Sequence, residues 1–282
     1  MIAITGATGH LGQLVINDLL KTVPASQLVA IVRDPAKADA LKQQGIVIRQ
    51  ADYADEAALT LALKDVEKLL LISSSEVGQR AIQHQNAINA AVAAGVQFIA
   101  YTSLLHADTS PLGLHTEHVI TEKALAASGI PYTLLRNGWY SENYLASAPA
   151  ALEHGVFIGA AGDGKIAAAT RADYAAAAAR VIREDGHAGN VYELAGDDAW
   201  TLNEFAAQLS VQSGKRVVYQ NLSEADFAGA LKDVGLPAGL ADMLADSDTG
   251  ASKGGLFDDS HTLSKLIGRP TTSLAESINT IL

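Results

Sequence analysis

Cysteine is absent from this sequence of 282 residues, and so are dense basic runs and long apolar segments. Without cysteine, disulfides, thiolate metal sites and thiol catalysis are excluded, and no metal site is expected. The 20 basic residues are outnumbered by 31 acidic ones, so the net charge of -11 would repel the phosphates of a nucleic acid. No apolar stretch could span a bilayer, and nothing before the first strand could serve as a signal peptide. We therefore expect a cytoplasmic protein with no membrane insertion and no nucleic-acid partner.

The composition that remains is typical of a helix-rich α/β protein. Hydrophobic residues make up 49% of the chain and aromatic residues only 5%, and alanine is abundant. The first half alternates strand-like and helical patterns at short intervals, which predicts a doubly wound parallel sheet. The strand-like runs are Ile2–Thr5, Leu28–Val32, Ile46–Arg49, Lys68–Ile72, Phe98–Ser103 and Tyr132–Arg136. The helical patterns lie at 11–22, 55–64, 79–94 and 115–128.

This alternation is lost in the second half of the chain. The helical patterns there lie at 140–153, 173–184 and 201–213, and short strand-like runs lie at 156–158, 166–169, 191–194 and 217–219. We therefore divide the chain into a first domain, 1–150, and a smaller α/β lobe, 151–282, which is expected to share elements with the first. The glycines within 250–259 predict a mobile loop.

A glycine-rich segment follows the first strand directly and leads into a helical pattern. In this context Gly6 permits a sharp turn, Gly9 lets the backbone approach a pyrophosphate, and Gly12 lets the helix pack closely on the strand. The N–H groups and the positive dipole end of the helix then face the phosphates. The predicted phosphate-binding residues are Gly6, Ala7, Thr8, Gly9, His10 and Leu11.

The spacing of these glycines, GxxGxxG, resembles the extended or atypical branches of the short-chain dehydrogenase/reductase superfamily. The resemblance implies that residues 1–150 form a Rossmann domain and that its ligand is a nicotinamide dinucleotide. Residues 151–282 would then form the substrate lobe.

The end of the second strand indicates which dinucleotide is bound. In such folds this strand end lies beside the adenosine ribose, where an acid would bind the 2′-hydroxyl of NAD. Here the strand ends in Arg33, whose guanidinium suits a 2′-phosphate by charge and geometry. Asp34 and Pro35 follow as a predicted turn. We therefore favour NADPH as the cofactor, and the alternative is an exposed arginine paired with Asp34.

Three serines follow the fourth strand, at the same edge of the predicted sheet. The hydroxyl groups of Ser73, Ser74 and Ser75 could approach the cofactor and hydrogen-bond to it. Alternatively, they cap a helix that begins near Gly78. Both roles can hold at once.

The acid that ordinary short-chain dehydrogenases use is missing. Most members carry Tyr-x-x-x-Lys on the helix after the fifth strand, and the tyrosine acts as the acid. Here that helix holds Lys123, but Val119 stands four residues before it. A carbonyl mechanism of the hydroxysteroid or sugar type is therefore disfavoured. Lys123 is expected either to hold the nicotinamide ribose or to be a solvated lysine paired with Glu122 or Asp108.

Glycine, amide and aromatic residues crowd the segment 137–144, where the ligand crevice of a Rossmann fold lies. With the glycine loop, Arg33 and the missing tyrosine, this segment resembles the NmrA-like atypical subfamily, and within it the bacterial NADPH:quinone oxidoreductase type, relatives of triphenylmethane reductase. Asn137 and Gly138 are predicted to contact the cofactor. Trp139 is interpreted as a core residue, and core packing is the alternative for Tyr140 and Tyr144.

Two classes of function follow from this resemblance. The first is an NADPH-dependent reductase that transfers a hydride to quinones or similar flat acceptors, or, as a variant, to an imine or a dye. Tyr140 and Asn143 are its predicted catalytic residues, together with Lys123, because a phenol and an amide three positions apart can share one helical face. The second is a non-catalytic NADP(H)-binding sensor that signals through a partner. The oligomeric state is left open.

Overall fold

The structure, a computed structural model, describes all 282 residues. Its strands are β1 (Ile2–Ile4), β2 (Leu28–Val32), β3 (Val47–Gln50), β4 (Lys68–Leu71), β5 (Phe98–Leu104), β6 (Tyr132–Asn137), β7 (Val156–Gly159), β8 (Val191–Leu194) and β9 (Val218–Asn221). Its helices are α1 (His10–Leu19), α2 (Asp39–Gln43), α3 (Glu56–Ala62), α4 (Arg80–Ala94), α5 (His115–Ser128), α6 (Ser141–Leu145), α7 (Ala148–His154), α8 (Arg171–Arg183), α9 (Leu202–Ser213), α10 (Glu224–Asp233), α11 (Ala238–Ser252), α12 (Thr262–Ile267) and α13 (Leu274–Asn279).

Seven strands form the main sheet in the order β3-β2-β1-β4-β5-β6-β8. The pairings from β3 through to β6 are all parallel. The chain runs outward from β1 to β3 on one side and restarts at β4 on the other, so the strand order reverses between β1 and β4. In an open α/β sheet, ligands bind in the crevice outside the carboxyl ends of the strands at this reversal. The predicted doubly wound parallel Rossmann sheet is confirmed.

Burial on both faces explains why the central strands are nearly continuous apolar runs. Every residue of β2 and of β5 is buried. Side chains from one face of the sheet, such as Leu69, Leu71 and Ile99, pack in a core with Ile88 of α4 and Leu125 of α5. Helices that cover both faces of a parallel sheet are what such strands require.

Two compact units make up the chain, and each contains several separate segments. The first unit comprises 1–104, 116–137 and 171–192, and the second comprises 105–115, 138–170 and 193–282. The units therefore do not follow a single boundary at residue 150, since α8 belongs to the first unit. The assignment of 1–150 to the cofactor and 151–282 to the substrate stays a prediction.

Two elements of the second unit differ from the sequence prediction. The helix predicted over 140–153 is two helices, α6 and α7, because Pro149 in the first turn of α7 could not follow a continuous helix without a clash with the carbonyl of Leu145. The strand predicted over 166–169 is wrong. This segment makes isolated bridges at Ile166 and Ala169 to two different partners, so no ladder forms.

The loop predicted over 250–259 is shorter than expected, because only residues 253–259 of that range lie outside a helix, and its mobility stays a prediction. Its first residues belong to α11, which ends at Ser252. A Cβ at Gly250 would lie 2.7 Å from Cδ1 of Leu112, and one at Gly255 would lie 2.7 Å from Cγ of Pro111. These buried glycines permit close packing, which sequence alone does not distinguish from flexibility. None of the helices combines the length and the apolar character needed to cross a membrane.

Candidate cofactor and substrate site

The loop between β1 and α1 has the backbone geometry that its glycines predict. Gly6 has φ +59°, in the left-handed region that glycine enters without strain, and it makes the turn out of β1. A Cβ at Gly12 would clash with the carbonyl oxygen of Gly6 and would lie 2.8 Å from Cα of Ala7. Gly12 therefore lets α1 pack against the loop. The contact of this loop with phosphate stays a prediction.

No side chain caps the N-terminus of α1. Its N-cap residue is Gly9, whose N–H donates to the carbonyl oxygen of Gly6 at 2.9 Å. Several other helices, such as α6, α7 and α11, also lack a side-chain cap, whereas α3, α9, α10 and α13 each follow an Asp, Thr or Ser whose side chain accepts a backbone N–H. The uncapped N–H groups in the first turn of α1, together with the helix dipole, suit the phosphates of a dinucleotide.

Arg33 lies at the carboxyl end of β2, with 69% of its side chain exposed. Its Nη1 is 2.6 Å from Oε1 of Glu76, and its Nε is 3.9 Å from Oδ2 of Asp52. The alternative pairing with Asp34 is wrong, because the carboxylate of Asp34 accepts the N–H of Ala36 and caps a 3-10 turn. Arg33 is therefore an exposed cation at the strand end where the adenosine ribose is expected.

The three serines after β4 have different environments. Ser73 is half-buried, and its N–H donates to Oγ1 of Thr102 at 2.8 Å. Ser74 is buried, and its Oγ accepts the N–H of Glu76 at 3.1 Å. Ser75 is exposed. The hydroxyl of Ser74 thus holds the loop itself, and the contacts of the three serines with the cofactor stay predictions.

The N-terminus of α4 is capped by another helix and not by these serines. The helix begins at Arg80, and its N-cap residue is Gln79, whose side chain makes no capping hydrogen bond. The carboxylate of Glu117, from α5, accepts the N–H of Gly78 and of Arg80, each at 3.1 Å. The alternative in which the serines cap this helix is therefore wrong, because the helix begins too far along the chain.

The first unit contains two buried histidines, His84 and His118, of which His84 holds the serine loop. Nε2 of His84 accepts the N–H of Ser74 at 3.0 Å, and Nδ1 lies 2.9 Å from Oγ1 of Thr121. Nδ1 of His118 lies 2.8 Å from the hydroxyl of Tyr101. Burial lowers the pKa of His84 to about 4 and the pKa of His118 to about 3. Both rings are therefore neutral at pH 7, as the acceptor role of His84 requires.

Acid is expected to destabilise the fold through His118. Its pKa falls from 6.5 to about 3 on folding, so the unfolded state takes up the proton first as the pH falls. The free energy of unfolding should decrease by about 2 kcal/mol between pH 6.5 and about pH 5 on this account alone. Urea unfolding of His118→Gln should show a decrease that is smaller by about this amount, because His84, whose pKa is also lowered, still contributes its own. The exposed control His154→Gln should retain the full decrease. Equal pH dependence in His118→Gln and in the unchanged chain would contradict the assignment.

Glu122 forms an ion pair with Arg136 near the ends of β5 and β6, and Lys123 takes no part in it. Glu122 accepts the hydroxyl of Ser103 at 2.6 Å, and its two oxygens accept Nε and Nη2 of Arg136 at 3.0 and 2.7 Å. Lys123 is exposed and forms no ion pair, so its alternative pairing with Glu122 or Asp108 is wrong. The contact of Lys123 with the nicotinamide ribose stays a prediction.

Asn137 ends β6 and contains a polar atom that lacks a partner. The residue is 5% exposed, and its side-chain oxygen is buried without a hydrogen bond. Such an atom costs about 1–3 kcal/mol when left unsatisfied, so a ligand donor there would be favoured. The N–H of Gly138 donates to the carbonyl oxygen of Leu194 at 2.8 Å and is used within the protein. The contacts of Asn137 and Gly138 with the cofactor stay predictions.

Tyr140 and Asn143 lie at the start of α6, in the second unit. The helix begins at Ser141, one residue after Tyr140, and the N–H of Asn143 donates to the carbonyl oxygen of Tyr140 at 3.0 Å. Both residues are half-buried. One helical turn therefore connects them, and their contact with a substrate stays a prediction.

Trp139 is buried, as its interpretation as a core residue predicts, and Tyr144 is buried as well. The ring of Tyr144 lies 5.2 Å from that of Trp200 and 6.3 Å from that of Phe205, centroid to centroid. Its hydroxyl is 3.4 Å from Oδ1 of Asp248, a buried acid on α11. Burial raises the pKa of the Asp248 carboxyl to about 6. This aromatic core holds α6 in place.

The sequence pattern gave no indication of the contacts that His106 makes in the second unit. His106 follows β5 and has φ +50°, which is unusual for a residue other than glycine. Its Nδ1 is 3.5 Å from Oε2 of Glu193, and its Nε2 is 3.3 Å from Oδ2 of Asp258. Separation along the chain hides such contacts from sequence analysis. No group of three or more His, Asp or Glu residues is arranged to hold a metal ion.

Comparison with known proteins agrees with this geometry. The profile of the NmrA-like family matches residues 1–277. Quinone oxidoreductase 2 of Escherichia coli (strain K12) is 81% identical over 279 residues, which cover 99% of this chain and 98% of that protein. The crystal structure of the NADPH-dependent quinone oxidoreductase of Escherichia coli complexed with NADPH matches with a TM-score of 0.98 at 81% identity, covering 100% of this chain and 99% of that one.

A second solved structure matches almost as well. The triphenylmethane reductase of Citrobacter sp. complexed with NADP(H) has a TM-score of 0.97 at 41% identity, and the match covers 100% of both chains. The family match spans nearly the whole sequence, and the fold is the one expected for that family. The resemblance inferred from the glycine loop, Arg33 and the segment 137–144 is confirmed, and this chain belongs to the NmrA-like family.

Proposed function

We propose that this protein is an NADPH-dependent reductase of quinones. The observation that carries the proposal is the 81% identity, over 99% of this chain, to the quinone oxidoreductase of Escherichia coli, together with the structural match to its NADPH complex. The site residues fit this cofactor. The uncapped N-terminus of α1, the exposed guanidinium of Arg33 and the unpartnered oxygen of Asn137 offer groups for its phosphates and an amide.

Different residues bind different parts of the cofactor. The loop from Gly6 to Leu11 holds the pyrophosphate, Arg33 holds the 2′-phosphate, and Ser73 and Ser75 line the same edge of the sheet. Asn137 and Lys123 hold the nicotinamide end. When bound, NADPH supplies a hydride.

A quinone suits a site that lacks the acid of the superfamily. The charge left on a reduced quinone is delocalised, and a hydroquinone anion is far less basic than an alkoxide. Positioning and one hydrogen-bond donor therefore suffice, and no strong acid is needed where Val119 replaces tyrosine. Asn143 donates to a quinone oxygen, and Tyr140 forms an aromatic wall or a second donor.

This chemistry predicts a preference among electron acceptors. NADPH oxidation, followed by its absorbance, should be rapid with a benzoquinone and negligible with a simple aliphatic ketone. The ketone would leave a basic alkoxide, which requires the activated tyrosine acid that Val119 replaces. A mixture without acceptor serves as the control for slow oxidation by air. Efficient reduction of the ketone would contradict the mechanism.

The sensor is the competing function, and the missing tyrosine is the feature that favours it. The comparisons support the reductase instead, because the highly similar relative is an oxidoreductase. Tight NADPH binding without turnover of any quinone in a panel would reverse this preference.

A further inference from the structure

The ion pair between Arg33 and Glu76 crosses the place where the dinucleotide is expected. Arg33 directly follows β2 and Glu76 lies in the loop after β4, and both strands pair with β1. Neighbouring strands lie about 4.8 Å apart, so a contact between the ends of β2 and β4 extends over the end of β1. The Nη1 to Oε1 distance is 2.6 Å. The pair therefore lies beside the glycine loop.

Glu76 is held in position by a buried residue as well as by Arg33. Nε2 of Gln83, which is buried in the first turn of α4, donates to Oε2 of Glu76 at 2.7 Å. The N–H of Glu76 donates to the buried Ser74 hydroxyl. The hydrogen bond from Gln83, followed by that from Arg33, lowers the pKa of the Glu76 carboxyl below its usual value. Glu76 is thus an ionised acceptor in a defined place.

The carboxylate of Glu76 and the 2′-phosphate of a bound dinucleotide therefore compete for the guanidinium of Arg33. A guanidinium that forms a bidentate contact with a phosphate cannot keep the same Nη1 on a carboxylate. NADH has no 2′-phosphate, so its binding leaves the ion pair between Arg33 and Glu76 intact.

We propose that Glu76 is a specificity-determining residue that competes with the 2′-phosphate of NADPH for Arg33 and so limits the preference for NADPH over NADH. This inference rests on the proposed NADPH dependence. Both partners of the ion pair are exposed to solvent, which weakens it, so the competition moderates NADPH affinity and does not abolish it.

The test compares ligand affinities of Glu76→Gln with those of the unchanged chain by calorimetry, in the absence of quinone. NADPH and adenosine 2′,5′-bisphosphate should bind Glu76→Gln about 1.4- to 5-fold more tightly, because breaking the ion pair no longer opposes them. NADH affinity should stay the same. Glu67→Gln is the matched control, because Glu67 is exposed and precedes β4 at its opposite end.

The same substitution in an Arg33→Ala protein separates competition for Arg33 from simple charge repulsion between Glu76 and the 2′-phosphate. In Arg33→Ala the gain from Glu76→Gln should disappear, because there is no guanidinium for the two acceptors to share. A gain that persists in full, an equal gain for NADH, or no gain in Glu76→Gln would overturn the inference. The proposed reductase activity is judged separately by quinone turnover, so failure of one does not imply failure of the other.

Discussion

Replacing Gly9 by valine is expected to abolish NADPH binding while leaving the protein folded. The backbone of Gly9 has φ -76° and ψ 165°, which valine adopts without strain. Its Cβ would lie 3.1 Å from the carbonyl oxygen of Gly6, tight against the loop that receives the pyrophosphate. Loss of two hydrogen bonds to a charged phosphate, at about 1.5–3 kcal/mol each, would lower NADPH affinity by about 100-fold or more.

Calorimetry with NADPH and circular dichroism together test this expectation. Gly239→Val is the matched control, because no atom outside its own stretch of α11 lies within 4 Å of the position that its Cβ would take. Gly12→Ala is the contrasting variant, because its Cβ would clash with the backbone and should unfold the loop and α1. Retained NADPH affinity in a folded Gly9→Val protein would show that this loop does not bind the pyrophosphate.

The variant Asn143→Ala is expected to lower the kcat for quinone reduction by roughly one to two orders of magnitude, the effect of removing a transition-state donor. NADPH affinity should hardly change, because Asn143 is proposed to contact the quinone and not the cofactor. Steady-state kinetics with a benzoquinone, and calorimetry with NADPH, separate the two effects.

Asn143→Asp is the informative companion to that variant. It keeps the size of the side chain, and a carboxylate in the first turn of α6 is compatible with the helix dipole. It removes the amide donors, so its kcat should fall as far as that of Asn143→Ala. Full activity in Asn143→Ala would exclude Asn143 and direct attention to Lys123 or a bound water. Full activity in Asn143→Asp alone would mean that the residue accepts a hydrogen bond and does not donate one.

Local patterns in the sequence suffice for the first half of the fold. The strands and helices alternate with a clear period, and each predicted strand from β1 to β6 is present. Prediction is poorer from residue 140 onward. A continuous helical pattern there hides the effect of Pro149, and an apolar run at 166–169 bonds to several segments without forming a ladder. Such outcomes depend on partners far along the chain, which no local pattern contains.

The sequence by itself determined the family, the Rossmann sheet, the glycine loop and the position of Arg33, because each depends on a residue type at a fixed place relative to one strand. Only the tertiary structure decided what the charged groups pair with. It joined Arg33 to Glu76 and Glu122 to Arg136, and it left Lys123 exposed. The physical reason is that an ion pair or a cap needs only proximity in space, and the sheet brings together strand ends that are separated by tens of residues along the chain.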